Sequence, residues 1–329
     1  YQTVLFGVKL LAAIIPTDNR GGVWKTGMDL VVSLALVGAS IIFLTLYLKM
    51  IVAMSEATKD LGQGQYPVID ILFVGGVGEE GEGDLRGVKH LLTQGKYKGR
   101  ITQFLAIDGN QQHSITRGGV GSKRYRVTFS GPGGHSYGAF GLVNPAYALA
   151  AAVAAFADTP VPSSPKTTFN VGVIAGGTSV NAIPSSVAMD VDIRSESCAE
   201  LKKVDDRFLA IVRRAADDEN RTRSTREGRV AVDPKLIGDR PCGNTPLEAP
   251  IVKTTAAVVQ AFGLTPSFAI GSTDSNIPMA MGIPALTIGH GGGGGRSHSP
   301  DEWTDVEPAR SARGVEIVLA IVLAVAGVP

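Results

Sequence analysis

The sequence is poor in cysteine, in aromatic residues and in net charge, and each shortage argues against a class of protein. Its 329 residues include two cysteines, Cys198 and Cys242, too few for the disulfide framework of a small secreted domain. We therefore expect a reducing, cytoplasmic location. Aromatic residues make up 6% of the chain and hydrophobic residues 44%, which suits an α/β core rich in Ala, Val and Gly. The net charge of +1, with no basic stretch interleaved with aromatics, predicts no nucleic-acid partner.

One long uncharged run interrupts this pattern. Residues 30–48 are 19 consecutive positions without a charge, followed by Lys49. At about 1.5 Å per residue, a helix of this length nearly crosses a ~30 Å hydrocarbon layer. Ser33, Ser40 and Thr45 dilute its apolar character and favour a buried helix of an α/β domain. The rest of the chain reads as soluble, so we expect the buried helix and keep membrane association through residues 30–48 as the alternative.

The order of the predicted elements indicates two domains, one inserted in the other. Residues 119–233 follow the order β-α-β-β-α-β, that of the split ferredoxin-like unit. Residues 1–118 and 234–329 alternate buried strands and helices and form the two parts of one α/β domain. The predicted elements of the inserted domain are strands at 123–130, 167–175, 186–194 and 226–232, and helices at 145–157 and 199–219.

In the flanking parts, the predicted strands are short and buried. Residues 69–75 are an apolar run ending in glycines, which suits a parallel strand. Asp84 is placed to cap the helix that follows. The glycine run 291–295 lies in a loop after a strand, where ligands bind in open α/β sheets. The other predicted elements are helices at 85–94, 250–262 and 311–326, and strands at 100–107 and 285–288.

The segment GVGEEG at 76–81 has the form G-x-G-x-x-G of a dinucleotide-binding turn between a strand and a helix. Such a turn brings backbone N–H groups and a helix N-terminus up to a pyrophosphate. Glu79 and Glu80 would repel that anion. We therefore do not assign a dinucleotide site.

The segment GHSYG at 134–138 matches G-x-S-x-G, and Asp274 and His298 follow Ser136 in the order of an α/β-hydrolase triad. A nucleophile elbow needs its serine directly after a buried strand. Here GPGG separates Ser136 from the strand that ends near Ser130. A serine hydrolase acting through Ser136 stays as a rival hypothesis.

A third interpretation takes Glu79 and Glu80 themselves as the functional feature. Of two adjacent carboxylates, one can bind a cation while the other acts as general base on a water beside the metal. Asp108 ends the next predicted strand, and His298 lies in a loop at the same expected edge, so both could add ligands. A solvated turn is the plain alternative for a Glu pair. Their position between a buried strand and a helix favours a metal site.

Seven segments carry a family resemblance, in the order ILFVGGVGEEGEGDLRG (71–87), FLAIDG (104–109), SGPGGHSYG (130–138), GGTSVNAIP (176–184), DVDIRS (190–195), GSTDSNIP (271–278) and GHGGGGGRSHSPDEW (289–303). Together they resemble the di-zinc exopeptidases and deacylases, which include aminoacylase, acetylornithine deacetylase, succinyl-diaminopimelate desuccinylase and tripeptidase T. The resemblance implies a mixed-sheet α/β catalytic domain with an inserted ferredoxin-like α+β dimerisation domain, and a homodimer.

The resemblance also implies a function and residue roles. The protein would be a metal-dependent hydrolase that cleaves a peptide or N-acyl amide bond of a small substrate with a zinc-bound water. Glu79 would be the general base. Glu80 and His298 would ligate one zinc and Asp108 the other, with cobalt or manganese as alternative metals. His135 would reach the partner subunit's active site and polarise the scissile carbonyl.

Four further residues are implied to contact or surround the substrate. Asn181 and Arg194 occupy places where the family contacts the substrate's carbonyl and carboxylate, while Ser272 and Thr273 shape the pocket wall. Asn181 and Arg194 could each also have a purely structural role. Asn181 suits an ordinary turn, and Arg194 an exposed strand position.

The first 70 residues depart from the family pattern. No histidine precedes His90, so the early His-x-Asp motif that supplies a zinc ligand is missing. Asp18, in the segment DNRGG, matches the turn whose Asp bridges both metals, although its spacing to Glu79 is too long for the family. Truncation, an altered N-terminal segment or loss of one metal would each explain the departure. The last leaves open a catalytically impaired relative with a binding or assembly role.

Overall fold

The computed structural model describes residues 70–327, which form two larger β-sheets and two two-stranded ribbons with their helices. The helices are α1 (Arg86–Thr93), α2 (Pro145–Ala157), α3 (Cys198–Thr222), α4 (Pro250–Ala261), α5 (Asn276–Ala280) and α6 (Pro308–Val325), and a 3₁₀ turn spans Gly81–Gly83. The strands are β1 (Phe104–Ile107), β2 (Ser114–Gly119), β3 (Gly121–Ser130), β4 (Gly134–His135), β5 (Thr167–Gly176), β6 (Ala182–Ile183), β7 (Ser186–Ser195), β8 (Ala231–Arg240), β9 (Gly243–Asn244), β10 (Ser267–Gly271), β11 (Ala285–Ile288), β12 (Gly293–Gly295) and β13 (Trp303–Asp305).

The four-stranded unit, residues 121–240, has its sheet in the order β5-β7-β3-β8 with every neighbouring pair antiparallel. Buried and partly exposed residues alternate along β7, because successive side chains of a strand point to opposite faces. The buried face packs against α2 and α3 in a core that includes Phe129, Phe156 and Phe208. The chain order β3-α2-β5-β7-α3-β8 confirms the predicted ferredoxin-like arrangement.

Local signals set the two helices of this unit. Asn144 caps α2 by accepting a hydrogen bond from the Ala146 amide, and proline stands at the first helical position. Ser197 caps α3 in the same way through the Glu200 amide. Apolar residues recur along α3 at Leu201, Val204 and Phe208, so one stripe of a largely charged helix faces the core.

The five-stranded unit, residues 70–119 and 243–327, has a mixed sheet in the order β1-β11-β2-β10, with β9 paired to β2. β1 runs parallel to β11, β10 runs parallel to β2, and β11 is antiparallel to β2. Val259 of α4 packs with Ile317 and Ile321 of α6 against Ile288 of β11. The predicted fold class, a mixed-sheet α/β domain with an inserted α+β domain, is confirmed.

Some predicted elements differ from the structure. Residues 71–79 lie outside any strand, with Leu72 and Val74 exposed, because no strand among residues 70–327 pairs with them. The strand predicted at 226–232 is β8, which begins at Ala231 and continues to Arg240. Part of the glycine run forms β12, which pairs with β13, rather than a loop.

Asp84 does not cap α1. It adopts a left-handed conformation (φ 49°), and Leu85 holds the cap position without a side-chain hydrogen bond. The Asp84 carboxylate instead accepts hydrogen bonds from the Asp239 amide and from Lys89 Nζ, the latter at 2.6 Å. It therefore ties the start of α1 to the end of β8.

A disulfide joins Cys198, at the start of α3, to Cys242, between β8 and β9, with the two Cα atoms 5.6 Å apart. This pairing was not predicted from the two cysteines. The cytoplasmic location inferred from the low cysteine count stays a prediction.

Two sequence predictions fall outside residues 70–327, namely the uncharged run 30–48 and the metal ligand Asp18. Among the residues that are described, no helix has the length and apolarity needed to cross a membrane.

Candidate functional site

The loop that carries Glu79 and Glu80 is folded so tightly that it requires glycines. Gly78 has a φ of 67°, and a Cβ on Gly83 would lie 2.6 Å from the Gly78 Cα. A Cβ on Gly87 would collide with the carbonyl oxygen of Val77, which accepts a hydrogen bond from the Gly87 amide. Gly78, Gly83 and Gly87 thus allow the tight path of the loop, and among the described residues no strand precedes it. The strand that should precede a dinucleotide-binding turn is absent from the described residues, which argues against that interpretation.

Arg240, the last residue of β8, reaches across to this loop from the four-stranded unit. Its Nη1 lies 3.2 Å from Glu79 Oε1 and 3.1 Å from Ser272 Oγ, and its Nη2 donates to the Glu79 carbonyl. The Arg240 side chain is 6% exposed and that of Glu79 18%. A buried cation therefore holds the predicted general base by its side chain and its backbone.

Glu79 belongs to a group of carboxylates that repel one another. Burial raises the pKa of Glu79 to about 7; Glu80, Asp108 and Asp274 add to the rise, and Arg240 opposes it. Burial, followed by the charge of Asp108, likewise raises the pKa of Asp274 to about 6. Three separate segments of the chain thus bring acidic side chains together, and the charge of Arg240 lowers the pKa of both Glu79 and Asp274 against this rise.

Asp108 lies at the edge where the parallel strands β1 and β11 end side by side. Its amide donates to the Ile288 carbonyl at 3.0 Å, and the amide of His290 donates to Gly109 at 2.9 Å. An open cleft of about 200 Å³ borders Asp108 and is also lined by Thr116 and Thr287. The edge predicted from the sequence therefore does carry a cleft.

His298 lies in the hairpin loop between β12 and β13, with a left-handed backbone (φ 64°) and an exposed side chain. Its amide donates to Glu302 Oε2 at 3.2 Å. A Cβ on Gly294 of β12 would collide with the Asn110 side chain, so the hairpin packs beside the Asp108 loop. Within residues 70–327, no three His, Cys, Asp or Glu side chains lie close enough to hold a metal ion. Because Asp18 is outside this range, the predicted ligand set extends beyond the described residues.

The side chains near Asp108, at the end of β1 and β11, are nevertheless of the kinds that bind a divalent cation. Carboxylates and imidazole are the ligands of catalytic zinc and related metals. Burial is the main cause of the raised pKa values of Glu79 and Asp274, and repulsion from the neighbouring carboxylates adds to the rise. A bound cation would relieve that repulsion.

His135 and Asn181 lie together on a two-stranded ribbon of the four-stranded unit. β4 pairs with β6, placing His135 opposite Ala182, and the Ser136 amide donates to the Asn181 carbonyl at 2.9 Å. Nδ1 of His135 accepts from the amides of Tyr137 and Gly138 at 3.3 Å. The neutral imidazole then carries its proton on Nε2. His135 is exposed, so Nε2 can donate to a group from outside the ribbon.

Arg194 lies on the face of the four-stranded sheet opposite α2 and α3, within an ion network. Its Nε donates to Asp192 Oδ2 at 2.6 Å, and Arg124 Nε donates to the other oxygen of the same carboxylate at 3.3 Å. Nη1 of Arg124 also reaches the carbonyl of Gly81 at 3.3 Å. The network therefore connects the predicted carboxylate-binding residue to the loop that follows Glu80.

Ser272 and Thr273 lie on the loop after β10, close to the acidic group. Ser272 Oγ accepts from Arg240, and Thr273 Oγ1 lies 2.6 Å from Thr287 Oγ1 of β11. Both positions agree with a role in the pocket wall, which stays a prediction.

The surroundings of Ser136 do not support the serine-hydrolase hypothesis. Ser136 follows the two-residue strand β4 and precedes turns, not a helix, so it is not on a strand-to-helix elbow. The environment of Asp274 also places it with the carboxylates Glu79 and Asp108.

Arg240 was not predicted from the sequence, and Asp274 was not predicted to join the acidic group. A lone arginine beyond the predicted domain boundary at residue 233 gives no signal of its partner. From the sequence, Asp274 was a candidate triad partner of Ser136, yet its carboxylate is partly buried near Asp108, and a Cβ on Gly76 would lie 3.0 Å from its Oδ2. The glycine at position 76 is a signal that a neighbouring group needs this space.

Comparisons with known proteins agree with this architecture. Residues 117–220 match the family described as a peptidase dimerisation domain. A comparison with curated proteins found no match. Among solved structures, aminopeptidase PepT from Bacillus cereus has a TM-score of 0.59 and 23% identity, over 76% of this chain and 63% of that chain.

Two other solved structures are similar at lower identity. A tripeptidase from Staphylococcus aureus has a TM-score of 0.58 and 20% identity, over 77% of this chain and 63% of that chain. A dinuclear metal-binding peptidase from Bacillus subtilis has a TM-score of 0.53 and 12% identity, over 74% and 62%. The chain spans less than two thirds of the length of these structures. The resemblance drawn from the sequence is confirmed through the dimerisation domain and the fold.

Proposed function

We propose that this protein is a metal-dependent hydrolase that cleaves the peptide or N-acyl amide bond of a small substrate. The observation that carries the proposal is the meeting of Glu79, Asp108 and Asp274, from three segments of the chain, beside an open cleft. The similar structures add support, since they include an aminopeptidase, a tripeptidase and a dinuclear metal-binding peptidase.

Glu80, Asp108 and His298, with Asp18 from outside the described residues, are the side chains that we propose hold the metal. Zinc, cobalt and manganese each suit such a set of oxygen and nitrogen donors. When bound, the cation would polarise the scissile carbonyl and lower the pKa of a water molecule. One or two ions are compatible with these donors.

Glu79 is the proposed general base. Its carboxylate takes a proton from the attacking water and returns that proton to the leaving amine nitrogen, so the carboxylate is unchanged over one turnover. A pKa near 7 suits both transfers near neutral pH. Arg240 holds Glu79 through Oε1 and the backbone carbonyl, which limits the orientations of the carboxylate.

His135 of a second copy of the chain is the proposed donor to the substrate carbonyl oxygen. Its Nδ1 is occupied by two backbone amides, so Nε2 carries the proton and is presented on an exposed ribbon. We propose that Asn181, on the same ribbon, contacts the same substrate group, and that Arg194 binds the substrate carboxylate.

The proposed homodimer rests on the peptidase dimerisation domain and on an open sheet edge. β5 is the outer strand of the four-stranded sheet, and it exposes Val173 and Ile174. An exposed apolar edge strand is a ready site for pairing with a second chain. Sedimentation of the purified protein would measure its oligomeric state, and a monomer at micromolar concentration would contradict the proposal.

The decisive experiment measures hydrolysis and metal content together. Protein purified with zinc is assayed against dipeptides, tripeptides and N-acetyl amino acids, and its bound metal is counted by mass spectrometry. We expect hydrolysis that a chelator abolishes and that added zinc, cobalt or manganese restores. Hydrolysis that survives full chelation would refute the metal-dependent mechanism. Fewer than one ion per chain, with no hydrolysis, would favour a non-catalytic relative instead.

A further inference from the structure

The chain passes between the two units at two places that lie side by side. The first crossing, residues 119–121, connects β2 to β3, and the second, residues 240–243, connects β8 to β9. Gly119 pairs with Gly243, so the crossings are adjacent strands of backbone. We call the two crossings together the junction. The position of the four-stranded unit, with His135 and Arg194, depends on how the junction is held.

One buried side chain bonds to both crossings. Asn276, the first residue of α5, is 1% exposed. Its Nδ2 donates to the carbonyl of Val120 at 2.8 Å and to the carbonyl of Pro241 at 2.9 Å. Its Oδ1 accepts from the Thr273 amide at 3.0 Å. Both amide hydrogens and the carbonyl oxygen are thus satisfied, and each bond reaches a different segment.

The packing around Asn276 leaves the junction little freedom. A Cβ on Gly119 would lie 2.9 Å from Asn276 Cγ, and one on Gly243 would lie 2.8 Å from Met279 Cβ. Glycine at both positions therefore lets the backbone approach α5 closely. The Val120 amide also donates to the Gly271 carbonyl at 2.7 Å, just before the Ser272–Thr273 wall.

We propose that Asn276 is a positioning residue that clamps the junction and thereby fixes the four-stranded unit relative to the Glu79 loop. A single amide suits this role, because two carbonyl acceptors need two N–H donors from one rigid group. An aspartate of the same shape has no N–H and would face both carbonyls with lone pairs. The consequence for catalysis rests on the proposed function, whereas the clamp itself is a property of the fold.

The test measures the distance between the units without substrate. Cysteines that carry spin labels replace Arg214 on α3 and Lys253 on α4, both exposed, while Cys198 and Cys242 remain in their disulfide. Pulsed electron paramagnetic resonance then gives the distance distribution, in an excess of unlabelled protein so that distances between copies do not contribute. Asn276→Ala and Asn276→Asp are compared with the unsubstituted chain.

Asn220→Ala is the matched control. Asn220 is also a buried amide, and it bonds to the N–H and carbonyl of Val230 at 2.8 Å, but entirely within the four-stranded unit. We expect both Asn276 variants to broaden the distance distribution and shift its mean. We expect Asn220→Ala to lower the melting temperature without changing the distribution. An unchanged distribution in folded Asn276→Ala would overturn the clamp and leave only a stabilising role.

Hydrogen exchange in the unsubstituted chain covers the case in which the Asn276 variants do not fold. Peptides that span 117–122 and 239–245 should exchange as slowly as those from the interior of β3. Fast exchange at both crossings would overturn the proposal, because a clamped junction cannot open independently of the strands beside it. Neither measurement requires hydrolysis, so an inactive protein would contradict the proposed function without affecting this result.

Discussion

Arg240 and Glu79 are 161 positions apart in the chain, yet the arginine Nη1 lies 3.2 Å from the glutamate Oε1. The pair joins the end of the four-stranded sheet to the loop of the other unit that carries the proposed base. Both side chains are largely buried, so the contact is shielded from solvent.

Replacing Glu79 with Gln should remove the general base and leave metal binding intact. We expect kcat to fall by about 10²–10⁴-fold, the usual contribution of a positioned proton-transfer group. Steady-state kinetics and metal analysis of the same preparation measure the two effects. Glu248→Gln, at an exposed position, is the control and should keep full activity. Full activity in Glu79→Gln would refute the assignment of the base.

Replacing Arg240 with Met should destabilise the protein by about 3–5 kcal/mol, because Glu79 would lose its buried partner. The free energy of unfolding from urea titration measures the loss. Lys202→Met, which breaks an exposed pair with Asp206, should cost less than about 1 kcal/mol. The double variant Glu79→Gln/Arg240→Met should lose less than the sum of the single variants. Strict additivity would show that the two side chains are not coupled.

The stability of the metal-depleted protein should fall as pH rises from about 4 to about 7. Burial and neighbouring carboxylates raise the pKa of Glu79 to about 7 and that of Asp274 to about 6 in the folded protein. In this range the folded state therefore holds protons that the unfolded state has released, and each rise in pH favours unfolding. Urea titrations at several pH values, with a chelator present, measure the slope. Glu79→Gln should flatten it, and an unchanged slope in that variant would contradict the raised pKa.

Reduction of the Cys198–Cys242 disulfide should lower the free energy of unfolding by about 2–4 kcal/mol, because it releases a loop closed over a sequence separation of 44 residues. Urea titration with and without dithiothreitol measures the change. The double variant Cys198→Ser/Cys242→Ser should show the lower stability and no response to dithiothreitol. Equal stability of the oxidised and reduced protein would indicate that the crosslink does not form in solution.

Mixing two inactive variants should restore activity if His135 acts across a dimer. In a mixed dimer of Glu79→Gln and His135→Ala, one site has both an intact Glu79 and an intact His135 from the other copy. Random pairing should give about a quarter of full activity, since half of the dimers are mixed and each has one complete site. Activity of the mixture is compared with that of each variant alone. No recovery, with mixed dimers shown to form, would place His135 in its own subunit's site.

The elements with strong local signals were predictable from the sequence. Helix α2 has the predicted bounds because Asn144 and Pro145 mark its start, and β11 was found from a short apolar run. Residues 71–75 had the same kind of run, but no strand within the described residues pairs with them. A strand depends on its partner, whereas a helix makes its own hydrogen bonds.

The candidate site was only partly predictable for a related reason. Glu79, Glu80 and Asp108 could be proposed from the sequence because each follows an apolar run next to glycine, at a position where ligands bind in α/β folds. Arg240 could not be found, since its role arises from packing of the two units. The Asn276 contacts with Val120 and Pro241 arise in the same way.

The tight loop around Gly78, Gly83 and Gly87 affects how relatives of this protein should be recognised. No side chain fits at these positions, so any chain with this loop must keep the glycines whether or not it has an active site. The glycine pattern therefore identifies the loop conformation, while Glu79 and a buried arginine at the position of Arg240 would identify the chemistry. A relative that keeps the glycines but has lost both charged residues is expected to share the fold and to lack hydrolase activity.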